Sequence, residues 1–199
     1  MIVVNCEQNS PEWYQVRLGV PTASKFGEIL TASGERSKSR TKYLYRLAGE
    51  IITGKMHESF QSHHFERGHE VEPLSRQYYE LLNGVEVEQV GFCFKDERRL
   101  FGASPDGLVG PCGGFETKAA LPHVQAERLA EGWTGAEHHR QVMGNLYVTG
   151  REWWDLVSFC PNMQPVIIRF ERDDSFFEKL EKELDSFCLD LKSLVEKIK

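Results

Sequence analysis

The hydrophobic pattern of the chain changes its period at the dipeptide Asn83-Gly84, and this change constrains the fold more than any other feature. Before the dipeptide, in residues 64–82, apolar side chains recur every three or four positions, which predicts a long helix. After it, residues 85–90 alternate in polarity and 91–94 continue the alternation, which predicts strands. A chain that passes from helix to sheet in this way forms an α/β or α+β domain.

Further elements are predicted on both sides of this point. Ser10 followed by Pro11 indicates a helix start, and Thr22 or Ser24 can cap a second helix that runs through Leu30. Residues 33–42 are polar and rich in cations, which is typical of an exposed loop. The other predicted elements are a helix over 43–52, a hairpin of 108–109 with 115–119, a helix over 136–147, strands over 153–159 and 165–170, and a tail helix from 174.

These elements predict one domain over residues 1–199, with a central mixed sheet flanked by helices. Within it we distinguish an N-terminal helical part at about 10–60, a core at about 64–170 and a C-terminal helix at about 174–199. The heptad-like apolar spacing of that last helix fits either packing onto its own domain or contact with another copy.

Composition narrows the function. There are 24 Lys and Arg against 30 Asp and Glu, which gives a formal charge of -6. This charge argues against a protein that coats nucleic acid non-specifically, but it does not exclude one that binds nucleic acid at a local site. We expect no signal peptide, no membrane segment and a cytoplasmic location. The five cysteines are scattered, which argues against a disulfide framework or an iron–sulfur site.

The residues with the clearest chemistry are Asp106, Glu116 and Lys118. Residues two apart on a strand share a face, so Glu116 and Lys118 project side by side, and the hairpin brings Asp106 next to them. Paired carboxylates form a hard oxygen site for Mg²⁺ or Mn²⁺, and a neighbouring ammonium can orient a water for phosphodiester hydrolysis. Because Pro-Asp-Gly is also a common turn, this set alone leaves a structural role open.

Three further blocks extend the pattern. Residues 68–72 place a carboxylate on the helix before the sheet, Gln141 and Tyr147 lie on the helix after Lys118, and residues 13–24 form a distinctive opening motif. Taken in chain order together with Asp106, Glu116 and Lys118, these blocks resemble the PD-(D/E)xK nuclease superfamily. Within it they resemble the YqaJ-like phage recombinases, the lambda exonuclease family. The resemblance implies a restriction-endonuclease-like core and a metal-dependent exonuclease that digests one strand of linear double-stranded DNA from its 5′ end, leaving 3′ overhangs for strand annealing.

The resemblance also implies roles for single residues. Glu72, Asp106 and Glu116, with the Thr117 carbonyl, match the ligands of two Mg²⁺ ions, for which Mn²⁺ substitutes, and Lys118 matches the catalytic lysine. Spacing from Gly68 favours Glu72 over Glu70. Further matches concern the terminal 5′-phosphate: Arg17 and Ser24 match positions that hold it, and Ser104 and Gln141 lie near it. Implied partners are double-stranded DNA ends, two further copies of the chain in a homotrimeric ring, and a single-strand annealing protein.

Alternative interpretations stay open from the sequence. The same core serves restriction-type endonucleases, and the carboxylates could merely support a non-catalytic module that binds DNA ends or a partner protein. Arg17 could be an ordinary solvated surface residue, and the basic stretch 36–42 could be either solvated or a phosphate contact. The histidines suggest zinc without completing a familiar ligand spacing, and of Trp153 and Trp154 we expect at least one in the core.

Overall fold

A computed structural model describes residues 1–56 and 63–199, except for the side chains of residues 63–66 and 69. It contains two sheets and six α-helices in the described part of the chain. The strands are β1 (Ile2–Val4), β2 (Val87–Glu88), β3 (Phe92–Phe94), β4 (Gly102–Ala103), β5 (Gly107–Val109), β6 (Gly113–Ala119), β7 (Trp153–Phe159) and β8 (Val166–Glu171). The α-helices are α1 (Pro11–Arg17), α2 (Arg40–Thr53), α3 (His63–Asn83), α4 (Pro122–Glu131), α5 (His139–Thr149) and α6 (Asp174–Ile198).

The larger sheet is mixed, with strand order β2-β5-β6-β7-β8. Only the β6–β7 pair in it is parallel, and helices α4 and α5 make the crossover between these two strands. The predicted hairpin is confirmed as the antiparallel pair of β5 and β6. The mixed α/β fold expected from the sequence is therefore confirmed.

The prediction that residues 85–94 continue as one alternating strand is wrong. Strand β2 pairs with β5 in the larger sheet, whereas β3 lies between β1 and β4 in a separate three-stranded sheet. The chain leaves one sheet for the other at Gly91, where an added Cβ would lie 2.2 Å from the Cys6 carbonyl oxygen. Only glycine permits the N-terminal segment to approach the backbone this closely.

Two glycines of β6 receive the tryptophans of β7. An added Cβ at Gly113 or Gly114 would lie 2.1 Å from the ring of Trp153 or Trp154 respectively. Trp154 is fully buried, which confirms that at least one tryptophan of the pair belongs to the core. The ring of Trp153 instead carries the Arg169 guanidinium at 3.7 Å.

The ends of several helices differ from the predictions. The second helix is a short 3₁₀ segment, Ala23–Glu28, that stops before Leu30, and Thr22 makes no side-chain cap bond to it. The helix predicted from 136 begins as a 3₁₀ turn and continues as α5 to Thr149. Helix α4 was not predicted. The start of α1 is confirmed, since the Ser10 side chain accepts a hydrogen bond from the Trp13 amide.

The basic loop is shorter and less free than predicted, because α2 already begins at Arg40. Arg36 donates to Glu183 at 3.0 Å and Arg40 to Asp190 at 2.8 Å, so two of its cations pair with acids of α6. Helix α6 itself packs onto its own domain, burying seven side chains: Phe176, Phe177, Leu180, Leu184, Phe187, Leu191 and Val195. No helix in the described part of the chain is both long and apolar enough to cross a membrane.

Candidate active site

Strand β6 presents Glu116 and Lys118 on one face, as predicted from their spacing. Lys118 Nζ lies 2.7 Å from Glu116 Oε1, and Glu116 is almost completely buried. Thr117, between them, points the other way and its hydroxyl lies 2.6 Å from Ser75 Oγ of α3. The central strand thus directs a carboxylate and an ammonium toward α5, and its intervening side chain toward α3.

Asp106 lies in the loop between β4 and β5 and reaches the same strand. Its Oδ2 accepts a hydrogen bond from the Thr117 amide at 2.7 Å, which places the carboxylate next to Glu116, as the hairpin predicts. Burial raises the pKa of Asp106 well above its ordinary value, and the charges of Glu116 and Glu72 raise it further. Lys118 and the Thr117 amide oppose that rise.

Glu72 of α3 is half-buried and close enough to Asp106 to raise its pKa, whereas Glu70 is exposed. Glu72 also lies 3.9 Å from an Arg76 guanidinium nitrogen. The structure therefore places Glu72, and not Glu70, with the two carboxylates of the hairpin.

Helix α5 adds two amides to the site. Gln141 Nε2 donates to Glu116 Oε1 at 2.6 Å, and Gln141 Oε1 accepts from Lys118 at 3.0 Å. Asn145, one turn later, donates to Glu116 Oε2 at 3.0 Å and is buried. Sequence reasoning missed Asn145, although its spacing of four residues from Gln141 puts both on one helix face.

The donor set fits a hard divalent cation. It consists of carboxylate oxygens, the ligands that Mg²⁺ and Mn²⁺ prefer. The pKa of Asp106 is raised by burial and further by the charges of Glu116 and Glu72, and a bound cation would favour the ionised form. As the side chains stand, no three His, Cys, Asp or Glu groups among the described residues are arranged to hold an ion. Glu116 Oε1 accepts from Lys118 and Gln141, and Oε2 accepts from Asn145, so the carboxylate is held by three donors while Oε2 keeps a lone pair for a cation.

Arg17 is not a solvated surface residue, and that interpretation is wrong. Its Nη1 donates to Ser104 Oγ at 2.6 Å, and its guanidinium carbon lies 3.9 Å from the centre of the Trp13 ring. Its Nε is buried without a hydrogen-bond partner among the described residues. Burial lowers the pKa of Arg17 to about 10, so the side chain remains a cation at neutral pH.

A cavity of about 280 Å³ opens beside this guanidinium. Its polar and charged lining includes three cations and one acid, and the acid, Glu50, accepts a hydrogen bond from the Gly19 amide. The lining side chains with polar groups are Trp13, Tyr14, Arg17, Thr22, Lys25, Tyr43, Arg46 and Glu50. Lys25 and Tyr43 were not predicted as site residues, because only the folded chain brings α1, the 3₁₀ segment and α2 around one space.

The structure does not bring all predicted phosphate-binding residues together. Ser24 is exposed, lies 3.3 Å from the Thr22 hydroxyl and does not line the described cavity, whereas Thr22 does. Gln141 contacts Lys118 and Glu116 rather than Arg17. Of the residues predicted to lie near the phosphate, Ser104 contacts Arg17, and its hydroxyl also accepts a hydrogen bond from Trp13 Nε1 at 3.0 Å.

The histidines with described side chains do not support a zinc site. His139 lies between the rings of Phe170 and Phe176, and burial lowers its pKa. His138 is partly buried, and desolvation lowers its pKa to about 4. Of the others considered for zinc, His57 lies outside the described residues, as do the side chains of His63, His64 and His69.

Comparison with known proteins finds a family model and solved structures that match this chain. The model of the YqaJ-like viral recombinase domain matches residues 12–152. The alkaline exonuclease LHK-Exo from Laribacter hongkongensis superposes with a TM-score of 0.85 at 32% identity, over 95% of this chain and 96% of that one. Its complex with dAMP matches equally well, with a TM-score of 0.85 at 32% identity over 96% of each chain.

A phage-related exonuclease from Haemophilus somnus 129PT shares the fold, with a TM-score of 0.71 at 10% identity over 90% of this chain and 96% of that one. No curated protein sequence matches the chain. The family model spans most of the chain, including Arg17, Glu72, Asp106 and the Glu116–Lys118 strand. The chain therefore belongs to the YqaJ-like viral recombinase domain family, and it is a nuclease of the lambda exonuclease type.

Proposed function

We propose that the protein is a metal-dependent 5′→3′ exonuclease that digests one strand of linear double-stranded DNA and leaves 3′ overhangs for recombination by strand annealing. One observation carries the proposal. The segment 104–106 joins a cation-lined cavity to the carboxylates, because Ser104 contacts Arg17 and Asp106, two residues later, contacts β6. An enzyme that cuts next to a terminal phosphate needs this adjacency.

The carboxylates define the proposed catalytic centre. Glu72, Asp106 and Glu116, with the Thr117 carbonyl, would hold two Mg²⁺ ions, and Mn²⁺ would substitute for them. When bound, the ions supply a lowered pKa for the attacking water and charge stabilisation for the leaving 3′ oxygen. Lys118 keeps its ammonium beside Glu116, where it orients the water and the scissile phosphate.

The charge state of Lys118 follows from its neighbours. Burial lowers its pKa, but Glu116 and Asp106 more than compensate, so the pKa is raised above its ordinary value. Gln141 holds the same nitrogen at 3.0 Å and so fixes the direction in which the ammonium points. Lys118 therefore acts as a positioned cation.

The cavity beside Arg17 is the proposed site for the terminal 5′-phosphate. Arg17 has a buried Nε without a partner, and a guanidinium can bind phosphate through two nitrogens. The Ser104 hydroxyl accepts hydrogen bonds from Trp13 and Arg17, which leaves its own proton to donate to a phosphate oxygen. Lys25 and Arg46 also line the cavity, and both pair with Glu28, at 3.5 and 3.1 Å. Ser24 and Gln141 do not line it and stay proposed contacts of the phosphate.

The remaining parts of the proposal rest on the family resemblance. They are assembly into a homotrimeric ring around DNA, action with a single-strand annealing protein, and a cytoplasmic location in a bacterium or an infected host. Nucleotide binding by the related LHK-Exo, seen with dAMP, supports a mononucleotide as the released product.

The test is digestion of a linear duplex that carries a 5′-phosphate and a fluorescent label on either strand, with Mg²⁺ or with EDTA. We expect mononucleotides released from the 5′-phosphorylated strand in Mg²⁺ and none in EDTA, while a covalently closed circle stays intact. Cleavage of the circle would instead indicate a restriction-type endonuclease. Binding of ends without any metal-dependent hydrolysis would indicate a non-catalytic end-binding module.

A further inference from the structure

The segment before α1 contains a side chain that the proposed reaction has not used. Gln8 Nε2 donates one hydrogen bond to the Val90 carbonyl at 2.9 Å and another to the Pro105 carbonyl at 2.8 Å. Pro105 directly precedes Asp106. One amide nitrogen therefore links the N-terminal segment, the chain before β3 and the loop that carries a proposed metal ligand.

Gln8 also stands at the edge of the catalytic site. A groove of about 640 Å³ is lined by residues 5–9, by Glu72 and Pro73 of α3, and by residues 89–91. Gln8 therefore lies between the helix that presents Glu72 and the loop that presents Asp106. Its hydrogen bonds tie the loop that presents Asp106 to the chain at Val90, inside a groove that Glu72 also lines.

The loop has few other restraints. Strand β4 ends at Ala103 and β5 begins at Gly107, so residues 104–106 lie outside both ladders. Proline has no amide hydrogen, so the carbonyl is the one backbone group of Pro105 that can form a conventional hydrogen bond. Among the described hydrogen bonds, the Pro105 carbonyl is held by Gln8, and the side chains on either side are held by Arg17 and by the Thr117 amide.

We propose that Gln8 is a positioning residue that clamps the Pro105 peptide and thereby aims the Asp106 carboxylate at the metal site. The inference rests on the proposed function. A primary amide suits this role because its nitrogen carries two hydrogens and can satisfy two carbonyls at once. Glutamate has the same shape but no donor, and it would direct a negative charge at both carbonyl oxygens.

The experiment compares Gln8→Glu and Gln8→Met with wild type by titrating the protein with Mn²⁺ alone and following binding by calorimetry. Losing a partner that orients a metal ligand weakens metal binding by about 10- to 100-fold, and we expect this range for both variants. The matched control is Gln89→Glu, because Gln89 is exposed and lines the same groove, and the substitution introduces the same charge. We expect it to bind Mn²⁺ like wild type.

A second measurement separates positioning from general damage to the fold. With Mg²⁺, we expect a lower kcat for the Gln8 variants and an unchanged KM for 5′-phosphorylated ends, since α1 and Arg17 stay in place. Wild-type Mn²⁺ affinity in Gln8→Met overturns the inference, and so does an equal loss in Gln8→Glu and Gln89→Glu. If wild type itself binds no Mn²⁺, the proposed metal site fails, and the inference fails with it.

Discussion

Replacing Arg17 by methionine tests the proposed end-binding cavity most directly. Methionine keeps an unbranched chain over the Trp13 ring but removes the charge and all donors of the guanidinium. Arg17 already donates one hydrogen bond to Ser104, and its buried Nε has no partner among the described residues, so at least one strong donor is available to a phosphate. We therefore expect Arg17→Met to reduce the preference for 5′-phosphorylated over 5′-hydroxyl ends.

The size of that loss follows from the contact. A hydrogen bond to a charged group contributes about 1.5–3 kcal/mol, which corresponds to a factor of roughly 10–140 at about 1.4 kcal/mol per tenfold change. The assay measures kcat/KM for both ends in wild type and variant, and the ratio of ratios isolates the interaction between Arg17 and the phosphate. Lys38→Met removes an exposed cation of the loop before α2 and serves as the control.

Two results would refute this reasoning. If Arg17→Met loses activity equally on both ends, Arg17 supports the structure or the chemistry but does not read the phosphate. If Lys38→Met loses the preference to the same degree, general attraction to DNA accounts for the effect. The melting temperature of each variant, measured without DNA, shows whether the cavity is still folded.

Three other predictions follow from single contacts. In EDTA at pH 7, Asp106→Asn should melt at a higher temperature than wild type, because burial and the neighbouring carboxylates raise the pKa of Asp106, so that its ionisation destabilises the folded state. The difference should shrink as the pH falls from 7 toward about 4 and be absent below that pH. Asn145→Leu should lower kcat without raising KM, since Glu116 loses a hydrogen bond that orients its carboxylate, and an equal rise in KM would contradict this. Gly114→Ala should lower the free energy of unfolding by about 1–3 kcal/mol in urea titrations, because the added Cβ would meet the Trp154 ring. The control is Gly49→Ala in α2, which has open space around it and should raise the free energy of unfolding by about 0.5–1 kcal/mol.

The parts of the site that depend on local geometry were predictable from sequence. Strand periodicity alone places Glu116 beside Lys118, and a short hairpin returns Asp106 to them. The environment of Arg17 was not predictable from periodicity, because it depends on Ser104, 87 residues away along the chain. Asn145 was missed for a similar reason, because its role depends on a hydrogen bond to Glu116, which lies on a different element.

Errors in the predicted fold have equally specific causes. Helix α4 lacks a clear apolar stripe because its buried side chain is Gln125, whose hydrogen bonds reach Ser158 and the Gln164 carbonyl. Alternating polarity predicts that a segment is a strand but not which sheet it joins. The sequence pattern therefore could not predict that β2 and β3 belong to different sheets. The close contact of Gly91 with the Cys6 carbonyl, which only glycine permits, is a contact between segments that are distant in sequence.

The net charge of the chain is -6, and the structure shows which of its cations are paired with acids. Arg36 and Arg40 pair with acids of α6, and Arg46 pairs with Glu28 at 3.1 Å, so these cations attract DNA less than their number suggests. Arg17 differs from them, because it is buried beside Ser104 and faces an open cavity. In the proposed function, a DNA end is therefore recognised inside the molecule, next to Asp106, while the outer surface contributes little attraction. Recognition of the end and assembly of the catalytic centre then share one short loop, residues 104–106.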